Sequence, residues 1–170
     1  FAQKLVEVLQ TFDIVFSVYI SVNNKNNSLV YGELLYVGGE VELSFKPFGF
    51  IQVNTEVKKL LYDKILKLVD GKNVIDAYAG ACLLSSKLCE KAKKVYAIEI
   101  LKQSCEDAEK LKNEQKIDNL IIKNGDCADI LPRLANLEKF DTIVLDPPRK
   151  GCDSKVIDSV KQILPNRIIY

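Results

Sequence analysis

The sequence predicts an α/β protein, a parallel sheet covered by helices on both faces and preceded by a small β-rich segment. From Asn54 onward, short unbroken apolar runs alternate with stretches of helical periodicity. Those runs lack the in-out alternation of strands that face water on one side, and so read as strands buried on both. Before Asn54 the texture differs, with β-rich stretches separated by Asn-rich and Gly-Gly turn signals.

Residues 1–53 open with the helical pattern "FAQKLVEVLQ" and continue through "DIVFSVYISV", "SLVYGELLYV" and "EVELSFKPFGFIQV". This looks like an antiparallel sheet. Some fifty residues of this kind rarely fold alone, so the segment is expected to be an incomplete domain or an appendage packed on the second domain. Residues 54–170 form that second domain. Its first helix carries Val57, Leu60, Leu61, Ile65, Leu68 and Val69 at helical spacing after a capping Asn54 or Thr55, and Gly71 stops it. The strand "NVIDAYAG" comes next, then a helix from Leu83 to Lys91, the strand "KVYAIEI" and a helix from Lys102 to about Lys116. "NLIIKNGD" and "DTIVLDP" are two further strands, with a short helix near Ala128 to Leu134 between them. Asp153 caps a helix bearing Val156, Ile157, Val160, Ile163 and Leu164, Pro165 ends it, and "RIIY" begins a fifth strand.

The 170 residues suffice for one ordinary domain, or one domain plus part of another, and 48% hydrophobic content supports a real core. The sequence starts at Phe1 and ends inside an apolar run, so it reads as a piece of a longer chain. No apolar run approaches the ~20 residues that span a bilayer and no signal-peptide pattern opens it, so a soluble, cytoplasmic protein, a monomer, is expected. Five cysteines, an odd set without a C-x-x-C pair, argue against a disulfide framework and against a metal site. A net charge of +1 lacks the basic excess of a self-sufficient nucleic-acid binder.

In parallel sheets ligands sit beyond the carboxyl ends of the strands, and four acids fall there: Asp76, Glu99, Asp126 and Asp146. A single Asp in such a place is often just a helix cap; four in register suggest a ligand. Glu99 follows Gly80 by 19 residues, the separation at which nucleotide-binding folds grip ribose hydroxyls. The turn "DAYAGAC" has one glycine and an acid at its edge, so a pyrophosphate would be repelled, and no phosphate-binding loop occurs. S-adenosyl-L-methionine, with a sulfonium and an ammonium, suits the acids better: unit charges ~4 Å apart attract by about 4 kcal/mol at an effective dielectric of ~20.

"FGFIQVN", "DAYAG", "YAIEI", "NGDCADILP" and "LDPPRKG", in that order and spacing, resemble the S-adenosylmethionine-dependent RNA uracil-5-methyltransferases, which make 5-methyluridine in transfer or ribosomal RNA. The resemblance implies a Rossmann-like methyltransferase fold with strand order 3-2-1-4-5 and later strands beyond this chain. It also implies that Gln52, Asp76, Tyr78, Gly80, Glu99, Asp126 and Asp146 line the cofactor pocket, with Glu99 on the ribose, Asp126 near the adenine and Asp146 close to the methionine moiety and the target base. Pro147 and Pro148 would hold the Asp146 backbone stiffly, and Arg149 and Lys150 would meet RNA phosphates or stabilise charge on the base, unless they form only a solvated basic turn.

Uracil C5 is a weak nucleophile, and the family adds a cysteine thiolate at C6 before methyl transfer, with a base removing the C5 proton afterwards. The resemblance puts that cysteine after the fifth strand, beyond Tyr170. Cys152 is a less suitable substitute, with no histidine in the chain to activate it. Family members usually carry a second glycine where Cys82 stands and a polar residue where Leu83 stands, which crowds the methionine end. The piece is therefore expected to bind S-adenosylmethionine weakly and not to methylate RNA by itself. The alternatives are a methyltransferase acting on another RNA or protein group, and a non-catalytic RNA-binding module that kept the fold.

Overall fold

The computed structural model describes residues 2–9, 11–12, 17–22, 26–32, 35–37, 43–45 and 55–170. They belong to two units, Phe1–Gly49 and Phe50–Tyr170. In the first, helix α1 (Ala2–Leu9) precedes strands β1 (Ser17–Val22), β2 (Asn26–Gly32), β3 (Leu35–Val37) and β4 (Leu43–Phe45). The antiparallel pairing expected here is present, but among the described residues it forms two separate pairs, β1 with β2 and β3 with β4. The first pair carries a register shift between Val18 and Tyr19.

The second unit runs α2 (Thr55–Leu68), β5 (Asn73–Ala77), α3 (Leu83–Leu88), β6 (Lys94–Glu99), α4 (Lys102–Glu114), β7 (Leu120–Asn124), α5 (Cys127–Ala135), β8 (Thr142–Leu145), α6 (Ser154–Ile163) and β9 (Arg167–Ile169). The five strands form one parallel sheet in the order β7-β6-β5-β8-β9. Numbered by succession this is 3-2-1-4-5, the expected order. The winding reverses between β5 and β8, which opens a crevice at their carboxyl ends.

Period-two alternation divides the strand residues between two cores. Ile75, Ala77, Tyr96, Ile98, Ile143 and Leu145 pack with α5 and α6, where Leu131, Leu134, Val156, Val160 and Ile163 are buried. Val74, Val95, Ala97 and Val144 face the other way, against Ile65 of α2, Leu88 of α3 and Ala108 of α4. Asp76 shares the Val74 face, so its carboxylate looks toward α2 and α3.

Several elements differ from expectation for local reasons. β5 ends at Ala77 because Tyr78 takes φ 66°. α3 stops at Leu88 rather than Lys91, its last turn tightening as Glu90 N–H and Lys91 N–H donate to the carbonyls of Lys87 and Leu88. Asp153 occupies the N-cap of α6, but its side chain makes no capping hydrogen bond and instead lies 3.8 Å from Lys150 Nζ. Only part of the α2 stripe reaches the core: Ile65 is buried and Leu66 and Val69 pack beside it, whereas Val57, Leu60, Leu61 and Leu68 are exposed. Among the described residues no helix is long and apolar enough to cross a membrane.

The amino ends of the strands are fastened by the segment before β8. Asp141 Oδ2 accepts from the N–H of Lys72 and Asn73 at 2.7 and 2.9 Å, and the bond from Asn73 leads in holding its carboxyl below the usual range. Glu138 accepts from the Tyr96 hydroxyl and from Asn73 Nδ2. Gly71, at φ 104°, makes this approach possible: a Cβ there would sit 2.0 Å from Asp141 Cβ. Gly71→Ala should therefore lower unfolding free energy by at least ~2 kcal/mol, read from urea denaturation.

Candidate functional site

The loop after β5 has positive φ at three alternate residues, Tyr78 (66°), Gly80 (56°) and Cys82 (60°). Within this turn Ala79 N–H donates to the Ile98 carbonyl and Cys82 N–H to the Ala79 carbonyl, while Gly80 N–H turns to a side chain of the neighbouring strand. Glu99 Oε2 accepts from Gly80 N–H at 2.8 Å, and its Oε1 accepts from Leu101 N–H at 2.8 Å. Glu99 is buried, and two donors leave lone pairs for hydroxyls of a ligand. Where a glycine was expected, Cys82 holds the left-handed conformation itself, its thiol buried.

A cavity of about 160 Å³ opens at the switch point, lined by Asp76 of β5, by Tyr78, Ala79, Gly80 and Ala81 after it, by Val144 and Leu145 of β8, and by Asp146 just beyond. Leu61, Tyr62 and Ile65 of α2, Leu83 and Leu84 of α3, and Ile169 and Tyr170 complete the wall. A larger depression, about 430 Å³, lies around Cys89, Glu90 and residues 115–119. It is more open and lies near the amino end of β7, away from the acids, so the smaller cavity is the candidate site.

Asp76 is 2% exposed and accepts from Ser85 Oγ at 2.5 Å. Burial pushes its carboxyl up to about 7; the Ser85 hydrogen bond opposes the rise, and the charges of Asp146 and Glu99 add to it. Asp146 is exposed at the rim, its backbone N–H donating to the Ala77 carbonyl.

Of the sequence-predicted site residues, Asp76, Tyr78, Gly80 and Asp146 meet at this cavity, and Glu99 joins them through Gly80. Tyr78 also packs on the α5–α6 core, its hydroxyl beside the Cys127 and Cys152 thiols. Asp126 is further along, at the N-cap of α5, where Oδ1 accepts from Ala128 N–H at 2.8 Å. The cap role that any such Asp commonly plays is thus realised. Arg149 and Lys150 are exposed on the turn closed by Gly151 N–H to the Pro148 carbonyl, outside the cavity wall. Gln52 lies outside the described residues. Burial raises the thiols of Cys82, Cys89 and Cys127, the last two to about 12, consistent with packing rather than nucleophilic roles. Among the described residues no cluster of three or more His, Cys, Asp or Glu side chains is placed to hold a metal ion.

Sequence reasoning missed Tyr62 and Ser85. Tyr62 was legible in part, because it stands three residues before Ile65 on the same side of α2; Ser85 carried no signal until α3 was seen to face Asp76.

The model of the family described as "Conserved hypothetical protein 95" matches residues 53–170. The chain belongs to that family. It is not the uracil-5-methyltransferase family that the motifs resemble, so the match carries the domain and not a base specificity. An uncharacterized RNA methyltransferase of Fusobacterium nucleatum is 36% identical over 98% of this chain and 39% of its own length. One of Bacillus cereus is 34% identical over 96% and 39%. The chain thus spans about two fifths of these curated relatives. Among solved structures, the tRNA (uracil-54, C5)-methyltransferase of Pyrococcus abyssi in complex with S-adenosyl-L-homocysteine superposes with a TM-score of 0.74, at 22% identity over 94% of this chain and 41% of that one. A putative methyltransferase from Escherichia coli gives 0.55 at 19% identity, over 79% and 74%. At these identities the structural likeness establishes the fold, a Rossmann-like methyltransferase architecture.

The raised Asp76 carboxyl has a measurable consequence. A carboxyl raised from 3.8 to about 7 binds its proton more tightly folded than unfolded, so its contribution is full below pH ~4 and lost as pH rises through about 7. Asp76→Asn removes this contribution. The variant's unfolding free energy relative to the parent should climb by on the order of a few kcal/mol between pH 4 and 8, measured by urea denaturation across that range.

Proposed function

We propose that this chain is the cofactor-binding domain of an RNA methyltransferase that uses S-adenosyl-L-methionine and modifies C5 of a uridine. The observation that carries the reading is the meeting of Asp76 and Asp146 at the switch-point cavity, with Glu99 one residue-contact away through Gly80. Two carboxylates at one small cavity favour a cationic group, and a third beside it has free lone pairs for vicinal hydroxyls. The donor set therefore fits the cofactor, which when bound supplies an electrophilic methyl.

The chain's own groups do the holding. Glu99 accepts from the ribose while its backbone partners keep it in place. Asp146, at the end of β8 before two prolines, offers a carboxylate with little backbone freedom at the rim where the base would enter. Asp76 sits deeper, and a cation near it favours its ionised form. Asp126, with one carboxylate oxygen engaged as a cap, offers the other toward the adenine side. Gln52 is assigned to the same pocket by the motif "FGFIQVN". Arg149 and Lys150 extend from the Asp146 turn to meet RNA, and the cysteine that adds to uracil C6 is assigned to sequence after Tyr170.

The relatives' names support the RNA substrate class, and the resemblance of "LDPPRKG" with "FGFIQVN" to the uracil-5-methyltransferases supports the uridine. Calorimetric titration should detect S-adenosyl-L-methionine binding, weakened at least tenfold by Glu99→Ala. Asp146→Asn should narrow the preference for the sulfonium cofactor over its thioether product several-fold, a modest effect because the site is solvent-screened. Absence of binding by well-folded protein would instead favour a non-catalytic RNA-binding module. For the base, RNA from cells lacking the full-length protein should lose 5-methyluridine in nucleoside mass spectrometry; loss of a different methylated base would overturn that part.

A further inference from the structure

Asp76 and Asp146 suit a cation, but the proposed ligand is not simply cationic. Its amino-acid end carries a carboxylate beside the ammonium, and the acids that attract one repel the other. A donor that keeps its proton next to carboxylates is needed for that group.

Among side chains the wall of the cavity offers few. The N–H groups of Ala79, Gly80 and Cys82 are already given to the Ile98 carbonyl, Glu99 and the Ala79 carbonyl. The Tyr78 hydroxyl is beside the thiols on the other side of the sheet, and Tyr170 is 81% exposed. Tyr62 differs. It enters the cavity wall from α2 with Leu61 and Ile65, is half-buried, and its hydroxyl makes no hydrogen bond with any described residue. Burial and the charges of Asp76 and Asp146 push its ionisation up to about 12, so it remains a donor throughout the working range of pH.

We propose that Tyr62 is a specificity-determining residue of this site, its hydroxyl donating to the α-carboxylate of the amino-acid end of the ligand. This rests on the assignment of S-adenosyl-L-methionine to the cavity. The site would then recognise an adenosine ligand by both ends of its zwitterion, Asp76 and Asp146 taking the positive groups and Tyr62 the negative one. A tyrosine that merely fills the wall would leave binding unchanged when only its hydroxyl is removed.

The test compares S-adenosyl-L-methionine with its decarboxylated form, which keeps the sulfonium and the ammonium and lacks only the carboxylate. Both are titrated into the chain and into Tyr62→Phe, whose retained ring and unchanged urea midpoint report an intact fold. Tyr62→Phe should weaken the full cofactor about tenfold, the effect of one hydrogen bond to a charged group, and leave the decarboxylated ligand within twofold. Equal weakening of both ligands, or none, overturns the assignment while the cofactor reading stands. If the parent chain binds neither ligand, the cofactor reading fails and the Tyr62 assignment falls with it.

Discussion

A buried carboxylate must find donors, and at the end of β6 that requirement organises the whole carboxyl rim of the sheet. Glu99 takes N–H groups from two directions, Gly80 in the loop after β5 and Leu101 before α4. The first bond draws the β5 loop across the sheet toward β6, and the loop can follow only by adopting positive φ at Tyr78, Gly80 and Cys82. Once it is drawn aside, the space beyond the carboxyl ends of β5 and β8 is left open, and Asp76 and Asp146 line it. Without those donors Glu99 would be a buried polar group with unpaired acceptors, so the interaction holds the fold and shapes the site together.

The acids of this rim are not equivalent, and their differences follow from solvent access. Asp76 is sealed under α2 and α3 with one hydroxyl for company, and favours its neutral form. Asp146 stands at the mouth in water. Glu99 is buried but well supplied with donors. Three carboxyl groups are thus presented in three states of solvation across a few strand ends, and a ligand entering from the mouth meets a solvated one first and a poorly solvated one last.

Much of this was legible in the sequence. Unbroken apolar runs separated by helices specify a parallel sheet regardless of residue detail, which is why the position of the acids could be anticipated, whereas the strand order came only from the family resemblance. The first unit was less legible, because alternation marks strands but not which strands pair, and the expected sheet is two separate pairs among the described residues. Element ends were displaced where backbone geometry overrode composition: Tyr78 is a good strand residue, yet φ 66° ends β5 before it. Asp126 illustrates a limit of another kind. An Asp that begins a helix after a strand reads the same whether it caps or binds, and here the cap is formed. Ser85 was hidden, and Tyr62 only partly legible, for a tertiary reason, since nothing in α2 or α3 states which strand face the helix will cover.

The latch formed by Gly71, Asp141 and Glu138 lies at the opposite end of the strands from the acids. The fastening of the strands' amino ends and the candidate site therefore lie at opposite ends of one scaffold. Segments at the chemical end can be exchanged, lengthened or regrafted while the other end keeps the strands in order, which makes this domain a chassis on which selectivity is free to drift.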